Sequence, residues 1–490
     1  MDDTIGAQSS FPLLFERQST GASAVRLAAC DVPSVDRSAA LPADALRAEP
    51  PPLPELGELE LTRHYTGLAH RLFSIDENFY PLGSCTMKYN PVVNERAAAL
   101  PGFSQLHPYQ WDQDVQGLLE LLYRLRCDLA EIAGLAEVSL QPAAGAHGEM
   151  TGLMLITAYH RSRGEIRRTV LTPDTAHGTN PASCTICARR TVTVSSGKDG
   201  LVDLDALRAA VDRDTAALMI TNPNTVGIYD GQIADIADIL HAEGAQLYLD
   251  GANMNAVLGI ARPGDVGVDV MHYNVHKTFS TPHGCGGPGA GPVAVAKHLA
   301  PFLPHPQIAR RVDGTYYWDH VRPQSIGKVR SFYGQIGILV RAYAYIRALG
   351  HDGLKNVAEK AVLAANYVAA RIKDRYPLPF PGPYAHEFIT IPDFEGLDVH
   401  EVDFAKRLLD YGIHPPTMSF PVAHCLMIEP TETESLETLD RFCAALLRMA
   451  DEAHERPELL REAPHRTPVR RMDEVAANRK PKVRWTPKNV

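Results

Sequence analysis

Between about residues 136 and 280 the chain alternates two patterns, and this alternation restricts its fold more than any other feature. Six short apolar runs stand in order: AEVSLQP, RTVLTPD, TVTVSS, AALMITNPN, AQLYLDGAN and VDVMHYNVH. Stretches with helical periodicity, GEMTGLMLITAYHR, DLDALRAAV and IADIADILHAE, separate several of them. Continuous apolar runs suit strands covered on both faces, and intervening helices suit the crossovers of a parallel sheet. The expected fold class is therefore α/β, with a mostly parallel sheet. After about residue 330 the pattern changes. Two long helical stretches, Gly334–Leu349 and Gly353–Arg375, precede two short strands, HEFITIP and HCLMIEP, each followed by a helix. That order predicts a smaller C-terminal α+β domain. The proline-punctuated start, with AEPPPLPEL, reads as an extended arm. The expected division is an arm over 1–60, an N-terminal segment and large α/β domain over 61–330, a small α+β domain over 331–455 and a basic tail over 456–490.

Composition excludes other classes. With 490 residues, 45% hydrophobic and 22% charged, the chain has core material for several domains and is neither disordered nor membrane-like. MDDTIGAQ lacks the basic and apolar regions of a signal peptide, and no uncharged apolar run approaches the roughly 20 residues that span a bilayer. A cytoplasmic protein with no membrane segment is expected. The net charge is −10, yet the stretch 461–490 carries nine Lys/Arg against three Asp/Glu. No nucleic-acid motif accompanies this tail, so no nucleic acid is expected; the tail suits clamping an acidic neighbouring subunit. The eight cysteines are scattered, and reduced thiols are the default. Cys184 and Cys187 form one C-x-x-C pair with no second pair to complete a zinc site.

The residues that carry chemistry fall where the apolar runs end, the ligand-binding edge of an open α/β sheet. Ala143 to Glu149, AAGAHGE, joins a strand to a helix. Its small residues let backbone N–H groups approach an anion, and the helix adds its positive end. It lacks the P-loop and dinucleotide signatures, so it suits a single phosphate monoester; a close-packed turn would use the same residues. Asp250 ends the run LYLDGAN, where it either caps a helix or faces a pyridinium nitrogen and favours its proton. Lys277, in YNVHKTF, follows another apolar run, an unusual place for a surface lysine and a suitable one for an amine that attacks an aldehyde. His177, in TPDTAHGTNPAS, is either structural or a flat ring that stacks on a pyridine. The run HGCGGPGAG after the lysine allows close backbone approach or makes a flexible loop.

This order of phosphate turn, loop histidine, strand-end D-x-A and H-K resembles the pyridoxal-phosphate enzymes of the aspartate-aminotransferase fold. The pair His276-Lys277 is similar to that of the amino-acid decarboxylases within that group. More narrowly, PLGSCTMKYNP, LQPAAGAHGE, AHGTNPAS, ITNPNTVG, DGANMNA, NVHKTF, SIGKVRSFYG, HPPTMSFP and IEPTETES, over roughly residues 60 to 440, resemble the glycine dehydrogenases (decarboxylating), the P-proteins of the glycine cleavage system. Among these the chain is similar to subunit 2 of the split bacterial form.

The resemblance implies pyridoxal-phosphate fold type I, with a seven-stranded-type sheet in the large domain. It implies pyridoxal 5'-phosphate as cofactor, with Lys277 as the Schiff-base lysine and Asp250 as partner of the pyridine nitrogen. Ala252 would lie against one ring face and His177 against the other, with His276 beside the lysine. Gly145, Ala146 and His147 would hold the phosphate mainly through main-chain groups, and Thr225 would donate to the cofactor phenolate. Cys285 departs from the family's glycine-rich run. The implied reaction is decarboxylation of glycine and passage of the aminomethyl group to the lipoyl arm of H-protein. Single-chain members carry an N-terminal half with no counterpart here, so the implied partner is glycine dehydrogenase subunit 1, with two copies of each in a heterotetramer. Lys88 and His386 are candidates for the neighbourhood of the substrate as well as for structural roles. Another fold-type-I enzyme acting on an amino acid, an aminotransferase or a side-chain decarboxylase, keeps the same cofactor logic. A non-catalytic scaffold subunit has no need of Lys277.

Overall fold

The structure, a computed structural model, describes residues 11–17, 21–23, 27–49, 51, 53–283, 289–392, 394 and 396–484. It divides into two compact units, Met1–Ser74 with Pro464–Val490, and Ile75–Ala463. These partings fall after Ser74 and Ala463, where the sequence places an arm ending at 60 and a tail beginning at 456. In the first unit the helix Glu58–Ala69 begins with the Glu60 side chain accepting from the Gly57 N–H. Around it, Leu56 and His64 are the buried side chains of the described segment 11–74, while Leu27 stands 89% exposed.

The second unit is built on a seven-stranded sheet. Its strands are β1 (Glu137–Ser139), β2 (Thr169–Pro173), β3 (Arg190–Val194), β4 (Thr215–Thr221), β5 (Gln246–Gly251), β6 (Val270–Tyr273) and β7 (Val293–Val295). Their order is β1-β7-β6-β5-β4-β2-β3, and β7 alone runs against the others. All six apolar runs become strands; β7, three residues long, is the one the sequence pattern does not mark.

Residue parity along these strands separates two cores. Leu171, Leu218, Ile220, Leu247, Leu249 and Met271 point to one face, where the helices Gln116–Ala133 and Ile233–Ala242 bury their leucines and isoleucines. Val170, Ala217, Met219, Tyr248 and Val270 point to the other, against Leu153, Leu155 and Ile156 of the helix Gly145–Ser162. Because side chains alternate with period two, Asp250 and His272 share the face of Tyr248 and Val270.

The helix Ile336–Ile372 breaks at Gly350, whose φ of 63° and ψ of −169° only glycine adopts easily. The break gives the two helical stretches expected from the sequence. The first half belongs to the large core, and Ala364 to Ile372 belong to a second core with the helices Glu401–Asp410 and Leu436–Glu455. That small domain carries an antiparallel sheet in the order β10 (Phe388–Thr390), β12 (Leu426–Ile428), β11 (Thr417–Met418). β8 (Gln307–Arg310) and β9 (Tyr316–Asp319) form a separate hairpin whose Ile308 and Trp318 join the large core.

Candidate functional site

Three strand ends converge. Asp250 closes β5, in register with Thr221 at the end of β4 and with His272 on β6. It is 3% exposed: Oδ2 accepts from Asn180 Nδ2 at 2.9 Å, and Oδ1 accepts from the Ala252 N–H at 3.0 Å and lies 3.4 Å from His272 Nε2. Burial pushes the Asp250 pKa up, but His272, His177, the Asn180 hydrogen bond and Lys277 outweigh it and hold the group below the ordinary carboxylate value. This is a buried carboxylate that stays ionised.

Lys277 lies in the turn after β6, 7% exposed, with its N–H donating to the Asn274 carbonyl at 2.9 Å. Its charge acts on Asp250, His177, His276, His283, His386 and Glu387. His177 follows β2. Its N–H donates to Thr221 Oγ1 at 3.3 Å, and its Nδ1 lies 2.9 Å from Thr179 Oγ1, which donates to the buried Glu149 at 2.6 Å. Burial lowers the His177 pKa, so the ring is a neutral imidazole at neutral pH.

The expected anion turn opens the helix Gly145–Ser162. No side chain caps it at Ala144, leaving first-turn amides without a side-chain acceptor. Gly145 is required by contact: a Cβ there would lie 2.2 Å from Asn274 Oδ1, and that oxygen is buried without a partner. The same asparagine carries the main-chain carbonyl that holds Lys277, so the turn and the lysine meet through one residue. His147 braces the turn with its ring, Nδ1 accepting from the Ala143 N–H at 3.1 Å, while burial lowers its pKa. An uncapped helix start and a glycine whose Cβ would collide with its neighbour form a fit for a phosphate.

Other candidates are placed differently. Thr225 donates its hydroxyl proton to the Thr175 carbonyl at 2.8 Å. His276 is half-buried with its ring edge-on to His283, centroids 5.0 Å apart, and desolvation takes its pKa down to about 3. Ala252 is half-buried beside Asp250. Lys88 is buried and committed, donating to Glu432 at 2.6 Å and to the Thr278 carbonyl at 2.7 Å. Cys285 lies outside the described residues. Burial pushes the Cys184 thiol up to about 11 and raises Cys187, so neither is a ready thiolate.

Sequence reasoning passed over Glu149, Asn180, His272 and Asn274, which hold the site residues in place. His272 had a signal: it sits two residues from Val270 on a fully buried run. Among the described residues, two buried groups bring metal-type ligand atoms within 4.8 Å: Glu149, Asp250 and His272, and His386, Glu387 and Glu429. In the first, Asn180, Thr179 and Ser183 already donate to the carboxylates. An open cleft of about 770 Å³ lined by Tyr109, Trp111, Gln116, Arg311, Trp318 and Lys328 contains none of the predicted site residues.

Comparison with known proteins agrees with this geometry. The family profile described as "Glycine cleavage system P-protein" matches residues 30–314, and "Glycine dehydrogenase, C-terminal domain" matches 357–465. The chain is 54% identical over 477 residues to "Probable glycine dehydrogenase (decarboxylating) subunit 2" of Bacillus licheniformis, covering 96% of this chain and 98% of that one. The protein of the same description from Oceanobacillus iheyensis is 53% identical over 485 residues, covering 98% and 100%. Among solved structures, an inhibitor-bound glycine decarboxylase (P-protein) of the glycine cleavage system aligns with TM-score 0.71 at 23% identity, over 84% of this chain and 93% of that one. Glutamate decarboxylase of Lactobacillus brevis aligns with TM-score 0.65 at 13% identity, over 85% and 97%.

Proposed function

The chain belongs to the glycine cleavage system P-protein family, and from that membership we propose how its residues carry the reaction. The activity is that of the decarboxylating glycine dehydrogenases, on a fold of the pyridoxal-phosphate type I class. The observation that carries the residue-level reading is the convergence of ionised Asp250, neutral His177 and Lys277 beside an uncapped helix start.

Pyridoxal 5'-phosphate, when bound, supplies the electron sink for the pair left on the glycine carbon as carbon dioxide departs. Lys277 would hold its aldehyde through Nζ. The Asp250 carboxylate, fixed by Asn180 and the Ala252 N–H, would face the ring nitrogen and keep a proton on it. That proton is worth most in the transition state, where negative charge develops, so a pre-fixed carboxylate lowers the barrier without reorganising. His177 would cover one ring face and Ala252 the other. The Gly145, Ala146 and His147 main-chain groups would hold the phosphate. His276, half-buried next to Lys277, would help exclude water from it.

The aminomethyl group would pass to the lipoyl arm of H-protein, whose disulfide is reduced in accepting it. Glycine dehydrogenase subunit 1 would complete the enzyme, with two copies of each subunit. The exposed apolar side chains of the arm, Leu27, Val32 and Val35 among them, suit coverage by a partner. No helix among the described residues is long and apolar enough to cross a membrane. The proposed location is the cytoplasm.

The test is exchange of labelled bicarbonate into the carboxyl group of glycine. Exchange that needs pyridoxal phosphate, lipoylated H-protein and subunit 1 supports the reading. No exchange in the full mixture, with the cofactor demonstrably bound, rejects it and moves the proposal to another amino-acid substrate.

A further inference from the structure

The small domain meets the loop after Asp250 at a buried acidic cluster that the residue roles above do not use. Glu387 directly precedes β10, Glu429 directly follows β12, and these strands are paired, Phe388 opposite Ile428. Glu387 is 3% exposed, Glu429 0% and the adjoining His386 2%. His386 Nε2 lies 3.7 Å from Glu387 Oε1, and both of its ring nitrogens are buried without a partner.

The two carboxyl groups are solvated very differently. Glu429 accepts from the Thr86 N–H at 3.0 Å, the Thr86 hydroxyl at 2.6 Å, Asn253 Nδ2 at 2.8 Å and Asn255 Nδ2 at 3.5 Å. Four hydrogen bonds converge on it. Glu387 accepts from the Ser84 N–H at 2.6 Å and faces the Glu429 charge. Two like charges buried together do not both persist, so the shared proton rests on the less solvated partner. The donors also argue against a bound cation, which would need them turned away.

The reaction needs such a proton. Zwitterionic glycine plus a cyclic disulfide gives carbon dioxide, an aminomethyl thioether whose nitrogen stays an ammonium, and a free thiol, with one proton taken up. The glycine carbon forms a C–S bond with one sulfur, using the electron pair left by carbon dioxide. The S–S bond breaks, the second sulfur keeps its electron pair, and that sulfur must be protonated. The disulfide is reduced by two electrons and the glycine carbon is correspondingly oxidised.

Resting on the functional reading above, we propose that Glu387 is the proton donor to the departing sulfur. Burial and then the Glu429 charge push its pKa well above the ordinary carboxyl value, partly offset by the Ser84 N–H and Lys277, so it enters the step as an acid. The groups acting on it are Glu429 and Lys277, with His386 adjoining; His386 in turn lies under Glu429, Glu432 and Lys277, and burial keeps it neutral. Once Glu387 gives up its proton, the nearby Lys277 charge favours the carboxylate that remains.

The experiment uses the full complex with subunit 1, lipoylated H-protein and bound cofactor. Infrared spectra of the unaltered protein should show the carbonyl stretch of a protonated carboxylic acid, and Glu387→Gln should remove it. The same substitution should slow aminomethyl transfer by about 100-fold, with cofactor absorbance and glycine affinity retained. Transfer in the unaltered complex should fall as pH rises through the range in which the band disappears. If Glu387→Gln does not fold, that coincidence in the unaltered complex decides. A missing band at neutral pH, a band that persists where transfer is gone, or a stoichiometric divalent cation that abolishes it overturns the inference. Lipoyl-dependent bicarbonate exchange that survives undiminished in Glu387→Gln overturns the inference alone. Absence of that exchange in the unaltered complex overturns the functional reading and this inference with it.

Discussion

Asp250 Oδ1 lies 3.4 Å from His272 Nε2, and the two residues face each other in register across β5 and β6. Strand pairing therefore sets the electrostatic partner of the carboxylate, and no loop has to close to make it. Asp250→Asn keeps the shape and removes the charge. We expect bicarbonate exchange to fall about 100-fold or more, with the lysine-linked cofactor colour retained. Stability carries a second signature. The folded pKa of Asp250 lies below the unfolded value of about 3.9, so its contribution is full above that value and is lost as pH falls through the folded one. Urea unfolding of the two proteins should show a difference that changes across acidic pH and is constant near neutrality.

Gly145→Ala tests the cradle. The new Cβ would stand 2.2 Å from Asn274 Oδ1 and 2.7 Å from Nδ2, so the asparagine has to move. Overpacking of this kind costs about 1–3 kcal/mol, and the side chain displaced belongs to the residue whose carbonyl holds the Lys277 N–H. Cofactor affinity, read by absorbance titration, should weaken about tenfold or more. Asn274→Gly in the same protein removes the obstructing side chain and should restore part of the loss. Unchanged affinity in Gly145→Ala would show that the phosphate is not held there.

What the sequence made legible follows a physical division. Asp250 and Lys277 stood out because each follows an apolar run, where a charged side chain has no solvated face to explain it. Glu149 did not, since an acid in a helix reads as solvent-exposed; only the packing of Thr179 and Ser183 against it reveals a buried anion. The hydroxyl partner of Thr225, the Thr175 carbonyl, is 50 residues away and leaves no local trace. β7 escaped for a related reason. Three residues are too few for a periodic signal, and the strand exists because β1 and β6 flank it on either side. Glu387 and Glu429 sit at the ends of strands equally short, and their meeting depends on the pairing of β10 with β12.

Lys88 and Glu432 form a buried ion pair at 2.6 Å, with side chains 1% and 6% exposed. Burial lowers the Lys88 pKa, but Glu432 outweighs it and the net direction is up. Breaking the pair from one side strands the other charge. Glu432→Gln should therefore lower unfolding stability by about 3–5 kcal/mol. The double substitution Lys88→Met with Glu432→Leu should recover most of it, since an apolar pair carries no desolvation cost. A fully recovered stability with normal exchange would assign the pair to structure; recovered stability with lost exchange would place Lys88 in the working site.

Lys277→Ala asks whether the lysine holds the cofactor. The side chain is 7% exposed and follows a strand whose next neighbour carries Asp250, so its loss leaves the β5–β6 pairing intact. Removing Lys277 also removes one of the charges that lower the Asp250 pKa, but His272 and His177 lower it more and the carboxyl stays ionised at neutral pH. The variant should fold, with unfolding stability within about 2 kcal/mol of the unaltered protein, the usual range for one substitution. Exchange activity should be lost, and so should the absorbance that marks an amine-bound aldehyde cofactor. Added pyridoxal phosphate should still bind the phosphate turn weakly, through the Gly145–His147 amides, and show the spectrum of the free aldehyde. An undiminished amine-bound spectrum in Lys277→Ala would transfer the role to another lysine, and buried Lys88 is the one that the Thr278 carbonyl brings next to this turn.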